Sequence, residues 1–397
     1  MATKDSLEDM ETGIAISFLP KTFQEAIKIV KKLGIKYLWI DCLCIIQDDP
    51  ADWESEAAKM AEVYRNAYLT IAAANSQDSY SGCFPNRENG SYVSPATRSM
   101  GYSVPRNLGG NEVVLRLHSP EQNHQIHLFK EWLPGSSFYD LQRTEIGSFG
   151  RNYDPIANEA LSSRGWTLQE RLLAPRTIHY AADQMFYECE TQISSEDGWI
   201  FPGTFFSMNL LLQTQLRGAA AHGLPRNTSL SLSPGHPANS VTRKPHGRWA
   251  GGWLSMIENY SRRLLTNPND KLPALAGVAK AMAEETNDCY LAGVWLEHMP
   301  EDLCWRVSTH EEPVPITMDG LRPRKGIHIG DVRRVDEYRA PTWSWAYLDG
   351  PIKFIPLSYS NLVVRVMNAT TTPAGLDPYS RVSDGHLDLL VMSSPLI

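Results

Sequence analysis

The groups in this sequence best placed to do chemistry are carboxylates and arginines near the ends of helices and strands. Glu56 follows Trp53 by about one turn in the stretch after Asp49-Pro50. At about 100° per residue it lies nearer the apolar stripe of Trp53, Ala57, Met60, Tyr64 and Ala67 than Asp52, Glu54 or Glu62 does. It is therefore the carboxylate of that helix expected to face inward. Burial beside a sheet edge raises a carboxyl pKa and suits it to acid/base or electrostatic work; a boundary glutamate paired with a cation is the plain alternative. Asp41 ends the apolar run Lys36-Tyr37-Leu38-Trp39-Ile40, where it could hold a ligand hydroxyl or a ribose, or simply cap its loop. Arg164, Arg171 and Arg176 bracket a second short helix, and a guanidinium can grip a carboxylate or phosphate with two parallel bonds, or merely cap and pair. If Arg164 met Glu56 or Asp41, two distant stretches would share one site. His179, on a strand, reads as a satisfied histidine of core or surface.

Other chemistries find little support. Cys42 and Cys44 alternate along what reads as a strand end, so they should point to opposite faces and share neither a metal nor a disulfide. With Cys83, Cys189, Cys289 and Cys304 they form no CxxC pair and have no histidine at ligand spacing, so reduced, mostly buried thiols and no metal are expected. The glycine-rich phosphate loops, the nucleophile elbow G-x-S-x-G and the zinc motif H-E-x-x-H are absent.

The elements that must position these residues begin at Thr22. Thr22 and Glu25 form a capping-box pattern, Phe23, Ala26, Ile27, Val30 and Leu33 recur at helical spacing, and Gly34 supplies a stop. Lys36–Ile40 reads as a buried strand, Asp49-Pro50 as the cap and first turn of a helix to about Asn66, and Tyr68–Ala74 as a second strand. Together these predict a right-handed βαβ unit in a mainly parallel sheet. The first helix has no strand before it, as though the chain began one element late. Residues from Gln77 to about Glu159 read as loops and hairpins, with a strand-like piece at Glu112–Leu117. A second capping box, Thr167 with Glu170, opens a helix that must end before Pro175. A hairpin then joins Thr177–Tyr180 to Gln184–Cys189. Trp253 to Leu265 and Leu272 to Glu285 look helical, and Arg339 to Ala346 begins an aromatic, β-rich tail.

Of the 397 residues, 42% are hydrophobic and 21% charged, values of a folded globular protein. A net charge of −8 with no basic aromatic cluster argues against nucleic acid. The longest apolar candidate, Ile200 to Leu216, is interrupted by Pro202 and Gly203 and is too short for a membrane span. The acidic N-terminus, Met1 to Glu11, is unlike a secretory signal, so a cytoplasmic location is expected.

The residues also bring a family into view. Tyr37-Leu38-Trp39-Ile40-Asp41-Cys42-Leu43-Cys44-Ile45-Ile46-Gln47-Asp48-Asp49, with Asp52-Trp53, Glu56, Met60, Val63-Tyr64 and Ala67, closely resembles the central motif of fungal heterokaryon incompatibility (HET) domains. Ser163-Arg164-Gly165-Trp166-Thr167-Leu168-Gln169-Glu170-Arg171-Leu172-Leu173-Ala174-Pro175-Arg176 resembles the family's third motif. Tyr260-Ser261, Asp270 to Leu275, Leu291 to Trp295 and Arg339 to Trp345 look like the segment that commonly follows such domains. The family usually opens with a strand ending in Ser-Tyr-Cys-Trp-Gly, and nothing before Ser17 resembles it. The resulting expectation is an N-terminally incomplete HET domain at 1–200, a flexible linker or insertion at 217–248 and a mixed helical and β region at 249–397.

The resemblance implies an α/β fold with a small, mainly parallel sheet like that of TIR domains, flanked by helices and extended by β-hairpins. It implies induction of programmed cell death when genetically different hyphae fuse. Some TIR domains cleave NAD with a glutamate on a helix that follows a tryptophan, and Trp53 and Glu56 are similarly arranged. By that likeness Glu56 is the candidate catalytic group, Asp41, Trp53, Arg164 and Trp166 are candidate ligand contacts, and NAD is a substrate rather than a bound cofactor. Two alternatives remain: a non-enzymatic module that self-associates or recruits protein partners, and an inactive fragment.

Overall fold

A computed structural model gives the fold and describes residues 1–84, 112–118, 123–129, 154–157, 159–182, 184–196, 200–202, 252–308, 332–355 and 364–391. Two compact units are distinguished, one of Met1–Glu88, Ile156–Glu312 and Lys325–Ile397, the other of Asn89–Pro155 and Pro313–Arg324. The first opens with α1 (Leu7–Thr12), α2 (Lys21–Lys32), the single turn α3 (Asp41–Cys44), α4 (Pro50–Asn66) and β1 (Thr70–Ala72). In the second unit β2 (Glu112–His118) and β3 (Asn123–Phe129) form an antiparallel hairpin, at the place where the sequence carries its strand-like piece.

The first unit resumes with α5 (Trp166–Leu173), β4 (Arg176–Tyr180), β5 (Met185–Cys189), β6 (Gln192–Ser195) and β7 (Ile200–Pro202). Next come α6 (Trp253–Tyr260), α7 (Pro273–Thr286), β8 (Tyr290–Leu291), β9 (Val294–Trp295) and α8 (Met299–Asp302). The short strands β10 (Trp305–Val307), β11 (Arg333–Arg334), β12 (Leu348–Asp349) and β13 (Ile352–Phe354) precede a long closing hairpin of β14 (Val364–Pro373) and β15 (Val382–Val391). The segment from Arg339 to Ala346 is thus not itself a strand; Trp345–Tyr347 forms a single tight turn, and the next strand after it begins at Leu348.

The main sheet is mixed, in the order β1-β4-β5-β6-β7. Only β1 and β4 pair in parallel; β4 with β5, β5 with β6 and β6 with β7 are antiparallel. This corrects the expectation of a mainly parallel sheet. Strands β4 to β7 follow one another after too few residues for the crossover that parallel pairing needs, and only the long path through α5 returns a strand parallel to β1. A second correction concerns Lys36–Ile40, which takes no regular secondary structure and pairs with no strand among the described residues. The expected βαβ unit is therefore absent among the described residues. Trp39 turns instead to the edge of Tyr64, with ring centroids 5.8 Å apart, and Tyr37 is left 87% exposed. Cys42 and Cys44 accordingly lie on the turn α3 rather than on a strand, and Cys83 is the one cysteine that is buried.

Local signals acted in different ways. Asp49 caps α4 as read, its side chain accepting from the backbone NH groups of Ala51 and Asp52, with Pro50 at the first helical position. Gly34, at φ 71°, takes the left-handed conformation that ends α2. Both expected capping boxes are replaced by tertiary contacts. Thr22 and Glu25 accept hydrogen bonds from the backbone of Gly82, Cys83 and Phe84, so α2 begins at Lys21 without a side-chain cap. Thr167 donates back to the carbonyls of Leu161 and Arg164, and α5 starts one residue earlier at Trp166.

Alternation along the strands gives the sheet two apolar faces. Ile29 of α2 packs with Cys83 and Tyr180 against Ile71 and Ile178. Phe186 and Ile193 pack with Ala74, Ile156 and Ala181. The largest core joins α4 and α5 to α6, α7 and the tail, through Ala61, Leu168, Leu172, Ile257, Leu275, Val278, Trp295 and Trp345. Residues before 200 and after 249 thus share one core. Gly277 marks the closest approach: its NH donates to Gln169 Oε1 at 2.7 Å, and a Cβ there would stand 2.4 Å from that of Ala61. The expected linker at 217–248 lies outside the described residues, as does Ile200 to Leu216 beyond Pro202. Among the described residues no helix is long and apolar enough to cross a membrane.

Candidate functional site

Helices α4 and α5 carry the two motif stretches, and they meet through their tryptophans. Trp53 and Trp166 stand edge to face, with centroids 6.3 Å apart and planes at 87°. Trp166 and Glu170 lie one turn apart on α5, and Trp53 and Tyr64 fall on one side of α4, so both pairs share the contact face. Tyr64 and Glu170 are close enough that each shifts the other's titration, and the charges of Asp41 and Arg164 act on the same carboxyl. Of the residues singled out in the sequence, Trp53 and Trp166 meet at this face, and the charges of Asp41 and Arg164 reach Glu170 beside it.

Its electrostatic centre is Glu170. Burial pushes its carboxyl up to about 7, helped by the like charge of Asp41 and opposed by the Tyr64 hydroxyl and the cations Arg164 and Arg263. The Tyr64 hydroxyl is itself raised well above the ordinary phenol range, by burial and by Glu170. A carboxyl that titrates near neutrality beside an aromatic wall can give or take a proton under working conditions. Sequence reading missed this residue by taking it as a helix cap. The usable signal was its spacing from Trp166, which places both on one side of α5.

Beside it, the Trp166 indole donates to Asp270 Oδ2 at 3.3 Å, and Arg381 pairs with Asp270 Oδ1 at 3.3 Å. The Arg381 guanidinium lies 5.4 Å from the centre of a Trp53 ring, and burial raises the Asp270 carboxyl.

Glu56 lies on the flank of α4, about 60° round the helix from Trp53. About a quarter of its side chain is exposed and it pairs with Lys59, one turn on, at 2.7 Å. Asp41 is exposed and accepts from the backbone NH of Cys42 at 2.7 Å. The Arg164 side chain is exposed, while its carbonyl accepts from Thr167 and Arg263. Arg176 donates to the Tyr68 carbonyl and lies over that ring.

Arg171, next to Glu170 in sequence, points to the sheet. It clamps Glu188 through Nε at 2.7 Å and a terminal nitrogen at 2.9 Å, and His179 Nε2 meets the same carboxylate at 2.7 Å. Glu188 stands opposite Thr177 and His179 opposite Phe186, so the two are diagonal neighbours on one sheet face. Burial alone would raise Glu188, but Arg171 and His179 outweigh it and hold the carboxyl down at about 2. All three side chains are buried, and His179 is the satisfied core histidine that the sequence suggested. Among the described residues no group of three or more His, Cys, Asp or Glu side chains could hold a metal ion.

No curated protein and no solved structure matches the chain. Residues 2–170, from near the N-terminus into the helix that carries Trp166 and Glu170, match the family model for the heterokaryon incompatibility protein (HET), and the chain carries a HET domain.

Proposed function

We propose that this HET-domain protein acts in heterokaryon incompatibility as a trigger of programmed cell death, by TIR-like hydrolysis of NAD at the face where α4 meets α5. The observation that carries the reading is the edge-to-face contact of Trp53 with Trp166, which joins the two motif stretches one turn from Glu170, where the charges of Asp41 and Arg164 are felt. In this scheme the bond from ribose C1′ to the nicotinamide nitrogen breaks, and its electron pair leaves with nicotinamide. Glu56 stabilises the oxocarbenium-like charge left on the ribose. Water adds to C1′ and gives its proton to Glu170, whose raised pKa suits a base near neutrality. Asp41 accepts from a ribose hydroxyl, Arg164 pairs with a phosphate, and the indoles provide stacking surface.

The test is incubation of purified full chain with NAD. Free nicotinamide that disappears in Glu56→Gln supports hydrolysis; an equal yield from wild type and variant removes Glu56 from the mechanism.

A second reading, a non-enzymatic module that self-associates or recruits protein partners, draws on the ion pair that engages Glu56 with Lys59 and on the exposed aromatic rings of Tyr37 and Tyr68. Cell death without loss of cellular NAD would favour it.

A further inference from the structure

The tip of the closing hairpin reaches the same face. Between β14 and β15 the chain turns through 374–381, held by the Ala374 NH donating to the Arg381 carbonyl at 2.8 Å and by Asp377 accepting from the Tyr379 NH at 2.9 Å. Tyr379 packs on Tyr290, with centroids 6.0 Å apart, which fixes the tip to the core. Two residues of this turn then touch or flank the N-terminal half of α4. Gly375 comes so close to Glu54 that a Cβ there would stand 2.4 Å from Oε1. Arg381 lies over Trp53 at 5.4 Å while pairing with Asp270, which in turn holds the Trp166 indole.

We propose that this tip is an autoinhibitory strap: Arg381 covers the Trp53 ring on which a planar ligand ring would stack, and the strap must lift before a ligand can enter. The inference rests on the reading of the Trp53–Trp166 face as the ligand site. Its chemistry suits a releasable contact. The Arg381 side chain is 46% exposed, and both a partly exposed cation–π contact and a partly exposed ion pair are weak enough for a ligand or partner to displace. The tip itself stays tethered through Tyr379, so it can return. A ligand that must first displace the strap binds with an affinity reduced by the fraction of molecules in which the strap is closed.

Hydrogen exchange on the full chain tests the contact itself. In Arg381→Ala, amides of 51–56 and 374–381 should exchange about fivefold to tenfold faster than in wild type, with Arg381→Lys in between because it keeps the charge but loses the flat guanidinium. Unchanged exchange at both segments overturns the strap. NAD is the probe for its effect: Arg381→Ala should bind NAD about fivefold to tenfold more tightly. Looser exchange combined with weaker NAD binding would make Arg381 a ligand contact and overturn autoinhibition. If neither protein binds NAD, the ligand reading of the face fails, and killing of fungal cells decides. More killing by the variant supports the strap, and equal or weaker killing refutes it.

Discussion

Glu170 and Arg171 are neighbours in sequence and face opposite environments. On one side of α5, Arg171 meets Glu188 and His179 in a fully paired cluster that holds a buried carboxylate down at about 2. On the other side, Glu170 shares its surroundings with Asp41 and a phenol, and its carboxyl rises to about 7. Glu188 is buried and Glu170 half-buried, and burial raises both carboxyls, so burial does not explain why the more buried one lies lower. The difference lies in the partners: a two-pronged guanidinium against a neighbouring negative charge. A satisfied cluster ties a helix to a sheet, whereas a strained carboxyl retains a proton that it can exchange.

Breaking the satisfied side should have the larger effect. Glu188→Gln leaves the Arg171 guanidinium buried without its counter-charge and should destabilise the first unit by about 3–5 kcal/mol, read from denaturant or thermal unfolding. Because the folded pKa of Glu188 lies below its unfolded value near 4.5, its contribution is present above that pH and fades as pH falls toward 2. The acid limb of the stability curve should therefore flatten in the variant. A loss below about 1 kcal/mol would show that the cluster does not tie α5 to the sheet.

Glu170→Gln should act in the opposite sense and by less. The folded pKa of Glu170 lies above its unfolded value, so stability is highest below about 4.5 and declines as pH rises through about 7. The neutral amide removes that decline and should stabilise the protein at pH 8 by on the order of 2 kcal/mol. Parallel stability curves for wild type and variant would place the carboxyl in the ordinary range. Smallest of all, Glu56→Gln should leave thermal unfolding nearly unchanged, since its pair with Lys59 is exposed and contributes little. A large loss of stability would mean that Glu56 has structural partners beyond Lys59.

The sequence made the helices and the β4–β5 hairpin readable, because Asp49-Pro50, Gly34 and the alternation around His179 act within a few residues of themselves. It misled where a side chain answers to distant partners. Thr22 with Glu25 and Thr167 with Glu170 have capping-box spacing, yet Thr22 and Glu25 receive the backbone of Gly82 to Phe84, Thr167 turns back to Leu161, and Glu170 turns to Tyr64. Lys36–Ile40 has strand composition, but composition cannot supply a pairing neighbour, and without one Trp39 packs on Tyr64. The meeting of Trp53 with Trp166 was suggested only as a condition, that two distant stretches share one site. The bond from Arg171 to Glu188 across α5 and the sheet was not readable, because nothing in local spacing links a helix arginine to a strand glutamate.

Chemistry at the face between α4 and α5 requires a base that titrates near neutrality. The direct measurement is nicotinamide release from NAD by the purified chain between pH 5 and 9, beside Glu170→Gln. Release that climbs as pH rises through about 7 in wild type, and that is low and flat in the variant, is the predicted result. No release at any pH, or the same profile from both proteins, would contradict it.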